Sequence, residues 1–205
     1  MNYFLSIVIN IILFPFYLVF GILFLVIWLI LTISGIGPLI QYCLSSRDAK
    51  YVERNSIAAK HSDIRIITIP GHVNAASGGA SYQLVARYTE PENYDPTIPP
   101  VAMPNGLGAT LVLTSCWHEE LVRRGYRVLS FDRLGVGFTE DNPTGIPPTA
   151  PDVVREMDFV LNSVLPSSTK WILVGGSMGS IVAQCYISVF PNKVAGFLNM
   201  DGSVK

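Results

Sequence analysis

One stretch of this chain constrains its fold more than any other: Trp171-Ile172-Leu173-Val174 running into Gly175-Gly176-Ser177-Met178-Gly179, with Ser180-Ile181-Val182-Ala183 after it. An apolar β-type run, a Gly-x-Ser-x-Gly turn and a helical pattern follow one another without a gap. A chain can join a strand to a helix that abruptly only if small residues flank the turn, because larger side chains would collide there. Gly175 and Gly179 meet that need. Ser177 then stands at the tip with its hydroxyl outward. The N-terminal N–H groups of the helix, with Met178 first, face any negative charge that develops near it. The alternative reading of Ser177 is an ordinary helix N-cap serine.

The rest of the sequence divides into two regions. Between Tyr3 and Ile33 there is no Asp, Glu, Lys or Arg. That run is longer than the ~20 residues that cross a bilayer as a helix. It lacks the basic start and the small-residue cleavage site of a signal peptide. A single membrane-spanning anchor over about Phe4 to Ile33 is therefore expected, with residues 1–40 as anchor, 41–60 as juxtamembrane linker and 61–205 as the domain. Arg47, Lys50, Arg54 and Lys60 follow the span and none precedes it, which orients the domain to the cytoplasm. Cys43 near the span is open to acylation or is an inert thiol. Cys43, Cys116 and Cys185 form neither a disulfide framework nor a metal-ligand spacing. No metal and no cofactor are expected.

From about residue 56 the pattern becomes that of a soluble α/β domain. Ile64–Ile69 is β-branched and ends at Pro70-Gly71, and Ser81–Tyr88 alternates, which predicts an antiparallel pair. Short apolar strands follow at Val101–Met103, Tyr126–Phe131, Lys170–Val174 and Val194–Met200. Helical spacing covers Ser115–Arg124, Asp152–Leu165 and Met178–Phe190. Continuous apolar strands alternating with helices predict a parallel sheet covered on both faces. Lys and Arg total 14 against 15 acidic residues, with no basic stripe, so nucleic acid is excluded as an expected partner.

Three motifs now stand in order, each at a predicted strand end: Asn105-Gly106-Leu107-Gly108, Asp132-Arg133-Leu134-Gly135-Val136-Gly137-Phe138-Thr139, and Gly175-Gly176-Ser177-Met178-Gly179. In this the stretch from about Ile64 to the C-terminus resembles the N-terminal half of an α/β-hydrolase domain of the serine-nucleophile branch. Asn105 stands where that family usually has histidine, and Thr139 where it usually has serine. The resemblance implies a mostly parallel, doubly wound sheet, incomplete at its C-terminus, which the transmembrane helix expected from the uncharged run would precede. It implies Ser177 as nucleophile, with the backbone N–H groups of Met178 and Leu107 as oxyanion hole. Asp132 and Arg133 are expected to order their loop and not to react.

The family order is serine, acid, histidine. Only 28 residues follow Ser177, and none is histidine; His61, His72 and His118 all precede it. Asp201 ends the strand after the elbow and is a candidate acid, although a strand-end aspartate capping its turn is the favoured alternative. Two functions follow. One is a membrane-anchored serine hydrolase acting on a small acyl substrate, an ester, thioester or amide, lipid-like if the bilayer supplies it. The other is a truncated, inactive hydrolase-like protein with a binding role or none.

Overall fold

The computed structural model describes residues 47–202. Helix α1 covers Arg47–Lys60 and leads into strand β1, Ile64–Ile69. A short 3-10 turn at Ala75–Ser77 is capped by the Asn74 side chain, which accepts from the Ala76 N–H. Strand β2, Tyr82–Thr89, returns antiparallel to β1 with Ile64 opposite Arg87 and Ile69 opposite Tyr82. Strand β3 (Val101–Pro104), helix α2 (Ser115–Arg123), strand β4 (Val128–Phe131), helix α3 (Ala150–Val164), strand β5 (Trp171–Gly176), helix α4 (Met178–Val189) and strand β6 (Val194–Met200) complete the described chain.

The six strands form one sheet in the order β1-β2-β4-β3-β5-β6. β4 pairs in parallel with β3, β3 with β5, and β5 with β6. β1–β2 and β2–β4 are antiparallel. The expected mostly parallel sheet is thus corrected to a mixed one. β2 is largely buried and carries two antiparallel ladders, so the hairpin is not a marginal edge but a third of the sheet.

Helices cover both faces, because the strands in the middle are apolar on both sides. On one face α3 and α4 pack against each other and over Leu129, Phe131, Leu173 and Ala102. The stripe Val153, Met157, Val160 and Leu161, spaced for a helix, faces this core. On the other face Leu121 and Val122 of α2 pack on Val101, Met103, Val128 and Val174. α3 begins earlier than its apolar spacing predicts. The reason is a capping box at its N-terminus, in which Thr149 and Asp152 satisfy each other's backbone and Pro151 fits the first turn.

The membrane span expected over about Phe4 to Ile33 lies outside the described residues. Among the described residues no helix is long and apolar enough to cross a membrane. The longest, α3, has 15 residues, short of the ~20 required. A single-pass anchor and the cytoplasmic placement that depended on it are therefore not supported, and both are withdrawn.

Candidate functional site

All three motifs arrive at the same place, the C-terminal ends of parallel strands. That is where an open α/β sheet gathers its loops. Ser177 lies between β5 and α4 with φ 51° and ψ −124°, a left-handed conformation that side chains rarely adopt. Such strain persists only where neighbours over-determine it, and here the neighbours are packed glycines. A Cβ on Gly179 would lie 2.0 Å from the Pro104 carbonyl oxygen, and one on Gly175 would lie 2.7 Å from the Gly179 carbonyl oxygen. The turn is held further by the Ser177 N–H, which donates to the Met200 carbonyl of β6 at 3.2 Å. The Ser177 side chain does not cap α4, so the N-cap alternative is not what the turn uses it for. Its hydroxyl is exposed. Ser180 is fully buried, and its hydroxyl donates to the Gly175 carbonyl at 2.5 Å.

The loop after β3 lies directly against this turn: a Cβ on Gly106 would sit 3.7 Å from the Ser177 Cβ. Leu107, next in the chain, is 82% exposed. Two reciprocal bonds tie this loop to the end of β4. The Asn105 side-chain nitrogen donates to the Phe131 carbonyl at 3.1 Å, and Arg133 Nη2 donates to the Gly106 carbonyl at 3.0 Å. Holding the Gly106 carbonyl fixes the peptide plane it shares with the Leu107 N–H, which points the opposite way. Met178 opens α4, so its N–H has no partner within the helix.

Asp132 is fully buried and structural. Its two carboxylate oxygens accept from the N–H groups of Leu111 (2.8 Å) and Phe138 (3.1 Å), and its carbonyl accepts from the Thr139 hydroxyl. Thr139 in turn accepts from the Val85 N–H at 2.9 Å. Threonine therefore does here what a serine hydroxyl can do. Gly137 must be glycine because φ is 55° and a Cβ would lie 2.1 Å from the Asp132 carboxylate.

Met178, Leu107 and Arg133 also line a pocket of about 360 Å³, whose walls are otherwise apolar, with Leu134, Val153 and Val182 among them. Asp201 lies one residue beyond Met200, at φ 57° and exposed. Its neighbours Asn199 and Gly202 close the turn by exchanging bonds at 2.9 and 3.2 Å. No bond joins Asp201 to Ser177 among the described residues.

The histidines lie elsewhere. His118 is buried under β2 and β4, with Nδ1 2.6 Å from the Ser130 hydroxyl and Nε2 2.8 Å from that of Thr89. Burial, with the Arg87 charge adding to it, pushes its pKa down to about 4. His61 borders a groove with Asp63 and Arg87, and His72 one with Arg155 and Asp158. A buried network passed over in the sequence is Glu156 of α3, which accepts from the Tyr82 hydroxyl and from Asn74 Nδ2 at 3.0 Å. Burial pushes its carboxyl upward. The available signal was an acid beside Met157 on a helix stripe otherwise given to core contacts. No cluster of metal-ligating side chains occurs among the described residues.

Among solved structures the chain is similar to a probable hydrolytic enzyme from Pseudomonas aeruginosa PAO1, at 15% identity and TM-score 0.59, over 68% of this chain and 41% of that one. It is similar to a thermophilic esterase from Thermogutta terrifontis, at 22% identity and TM-score 0.56, over 69% and 47%. It is similar also to a structure from work on carboxylesterases of Nitrososphaera gargenis, at 19% identity and TM-score 0.54, over 68% and 46%. At these identities the likeness is one of fold. The chain spans less than half the length of each. No curated protein matches it in sequence.

The profile of the alpha/beta hydrolase fold matches residues 99–204. The resemblance as first drawn, from about Ile64 and to the N-terminal half of the family domain only, is corrected by this match. The matched region is the C-terminal part of this chain, and β1 and β2 lie outside it. The hairpin has a generic β-branched pattern and no motif, whereas all three motifs fall after residue 99. The match supports a hydrolase-like fold and, with no spanning helix described, does not support the membrane-anchored serine hydrolase. Since it covers just over half of the chain, this protein belongs to the alpha/beta hydrolase fold family.

Proposed function

We propose that this chain is a hydrolase-like protein that binds a small acyl or ester group at the elbow and, by itself, turns it over poorly. The acyl group enters the apolar pocket between Leu107 and Met178, with its carbonyl oxygen toward their N–H groups. Those two donors act as the oxyanion-type contacts, and Ser177 stands beside the acyl carbon. The one observation that carries the reading is the state of His118. It is the buried histidine of the domain, and both its ring nitrogens are engaged by Thr89 and Ser130 under the antiparallel part of the sheet. A serine hydroxyl without a base to take its proton is a weak nucleophile. Asp201, exposed at the strand end, serves the turn in this reading and not a proton relay. Two of the similar structures, an esterase and a probable hydrolytic enzyme, support the acyl class of ligand.

The test is hydrolysis of p-nitrophenyl butyrate by the chain 1–205 beside its Ser177→Ala variant. The expected result is a rate within about tenfold of the variant, since binding and an oxyanion hole alone preserve some residual catalysis. Rapid turnover that disappears in Ser177→Ala overturns the reading and requires a base from elsewhere.

A further inference from the structure

Glu156 of α3 is 1% exposed, and an acid that deep persists only with partners. Its partners among the described residues are all donors: the Tyr82 hydroxyl, Asn74 Nδ2 at 3.0 Å and the Leu134 N–H. That set suits the ionised carboxylate. Asn74 caps the turn before β2, and Tyr82 opens β2. Leu134 lies in the loop after β4, next to Arg133. Glu156 therefore bears on Arg133 twice. It holds the backbone of the neighbouring residue, and its charge faces the guanidinium, which is itself only 7% exposed. Arg133 passes the constraint on, because its Nη2 donates to the Gly106 carbonyl at 3.0 Å. The same carbonyl accepts from the Ala109 N–H at 3.3 Å, a bond that only closes the loop on itself. Side-chain packing does little to hold Leu107, which is 82% exposed and lies between Gly106 and Gly108, the latter at φ 67°. Flanking glycines leave the backbone free to turn. The direction of the Leu107 N–H then depends on what fixes the Gly106 carbonyl, across the peptide plane they share. The Met178 N–H is carried by α4 and needs no such support.

We propose that Glu156 is a positioning residue for the Leu107 N–H, acting through Arg133 and the Gly106 carbonyl. The proposal deepens the acyl-binding reading and rests on it, since that reading makes the Leu107 N–H one of two donors to a carbonyl oxygen. Glu156 itself touches no ligand. Its carboxylate is the countercharge that keeps the guanidinium turned inward. A neutral residue at 156 leaves the Arg133 cation buried and unopposed, which is costly. The side chain then gains by turning toward water, and it releases the Gly106 carbonyl as it goes.

Backbone amide order parameters from NMR relaxation test it, measured on the chain 1–205 as wild type, Glu156→Gln, Arg133→Met and the double variant. Leu107 is expected at about 0.85 in the wild type and below about 0.6 in each variant, with Met178 rigid throughout. The double variant removes both charges together, which a fold tolerates better than the loss of one. It should leave Leu107 no looser than Arg133→Met does, because the two residues act in series. A Glu156 that merely stabilised the fold would give additive effects. A Leu107 amide already flexible in the wild type, or as rigid in Glu156→Gln and the double variant as in the wild type, overturns the proposal. Loosening that extends equally to Met178 overturns it too. Ethyl butyrate separates the proposal from the reading beneath it. In the wild type the ester should move the amide signals of both Leu107 and Met178, and in Glu156→Gln that of Met178 alone. An ester that moves neither signal in the wild type overturns the acyl reading, whereas unaltered order at Leu107 overturns the role of Glu156 alone.

Discussion

Two polar regions of this domain are built on opposite terms. At the ends of β3, β4 and β5, groups are held in place and left unspent. Ser177 is strained and exposed, Leu107 projects outward, and Arg133 Nε is buried with no hydrogen-bond partner among the described residues. Under β2 and β4 the groups are spent on one another. His118 bridges Thr89 and Ser130, and Asp63 accepts from Arg87 at 2.7 Å and from Thr89 at 2.9 Å. The first region is the one the proposed acyl-binding reading uses, and the second is a polar core. The difference explains how a chain can contain a serine elbow and a buried histidine without joining them. The imidazole is chemically suited to be a base, yet its hydrogen bonds are already committed to holding the sheet together.

The comparison breaks most easily at the glycines. Gly179→Ala places a methyl carbon against the Pro104 carbonyl, a backbone group that cannot swing aside. A loss of more than about 4 kcal/mol is expected, at the exceptional end for one substitution. Urea unfolding measures it, and a loss below about 1 kcal/mol would show that the elbow is not packed as described.

The second test works on the polar core. His118 has a folded pKa of about 4 against about 6.5 unfolded. Between these values the unfolded chain binds the extra proton, so stability is full above about pH 6.5 and falls as pH drops toward 4. Below 4 both states are protonated and this group adds nothing further. The total is at most about 3 kcal/mol. Unfolding midpoints of wild type and His118→Gln over that range check it. The slope difference between them should vanish above pH 7, and parallel profiles throughout would contradict the buried neutral imidazole.

Asp132→Ala sharpens the border between the two regions. It leaves the buried N–H of Leu111 and that of Phe138 without their acceptor, at about 2 kcal/mol. It should also loosen the Asp132–Thr139 loop, seen as faster amide exchange at Phe138 and Val85. Exchange unchanged there would assign Asp132 a role outside the loop.

The smallest effect has the opposite sign. Ser177→Gly relieves a left-handed φ of 51° and should raise stability by about 0.5–1 kcal/mol. Ser177→Ala keeps the strain and should not. Equal melting temperatures for the two variants would mean the turn is not strained.

Several features could be read before any coordinates. β1 and β6 begin and end where the β-branched run and the Pro191–Lys193 break predict, because a strand pattern bounded by turn residues has few alternatives. The Gly-x-Ser-x-Gly turn is legible for the same reason: glycine packing leaves no other way to join β5 to α4. The Asp132 loop was legible as structural because its residues are matched to backbone groups. The antiparallel β1–β2 pair is legible in its pattern, but the parallel character of the sheet is overstated, since alternation of strands and helices gives no weight to the second antiparallel ladder, β2 on β4. The membrane anchor came from an uncharged run that lies outside the described residues, and no described helix supplies one.

What the sequence determined alone is therefore local: which runs extend, where helices start, and where only glycine fits. Those are decided by neighbours a few residues away. The tertiary structure decided the rest. It set the Arg133 guanidinium against the Gly106 carbonyl. It buried Glu156 against Tyr82 and enclosed His118 between Thr89 and Ser130. Each of these joins residues that the chain separates by 12 to 74 positions. Hydrogen bonding and desolvation depend on what the sheet order brings together, and no periodicity along the chain records that order.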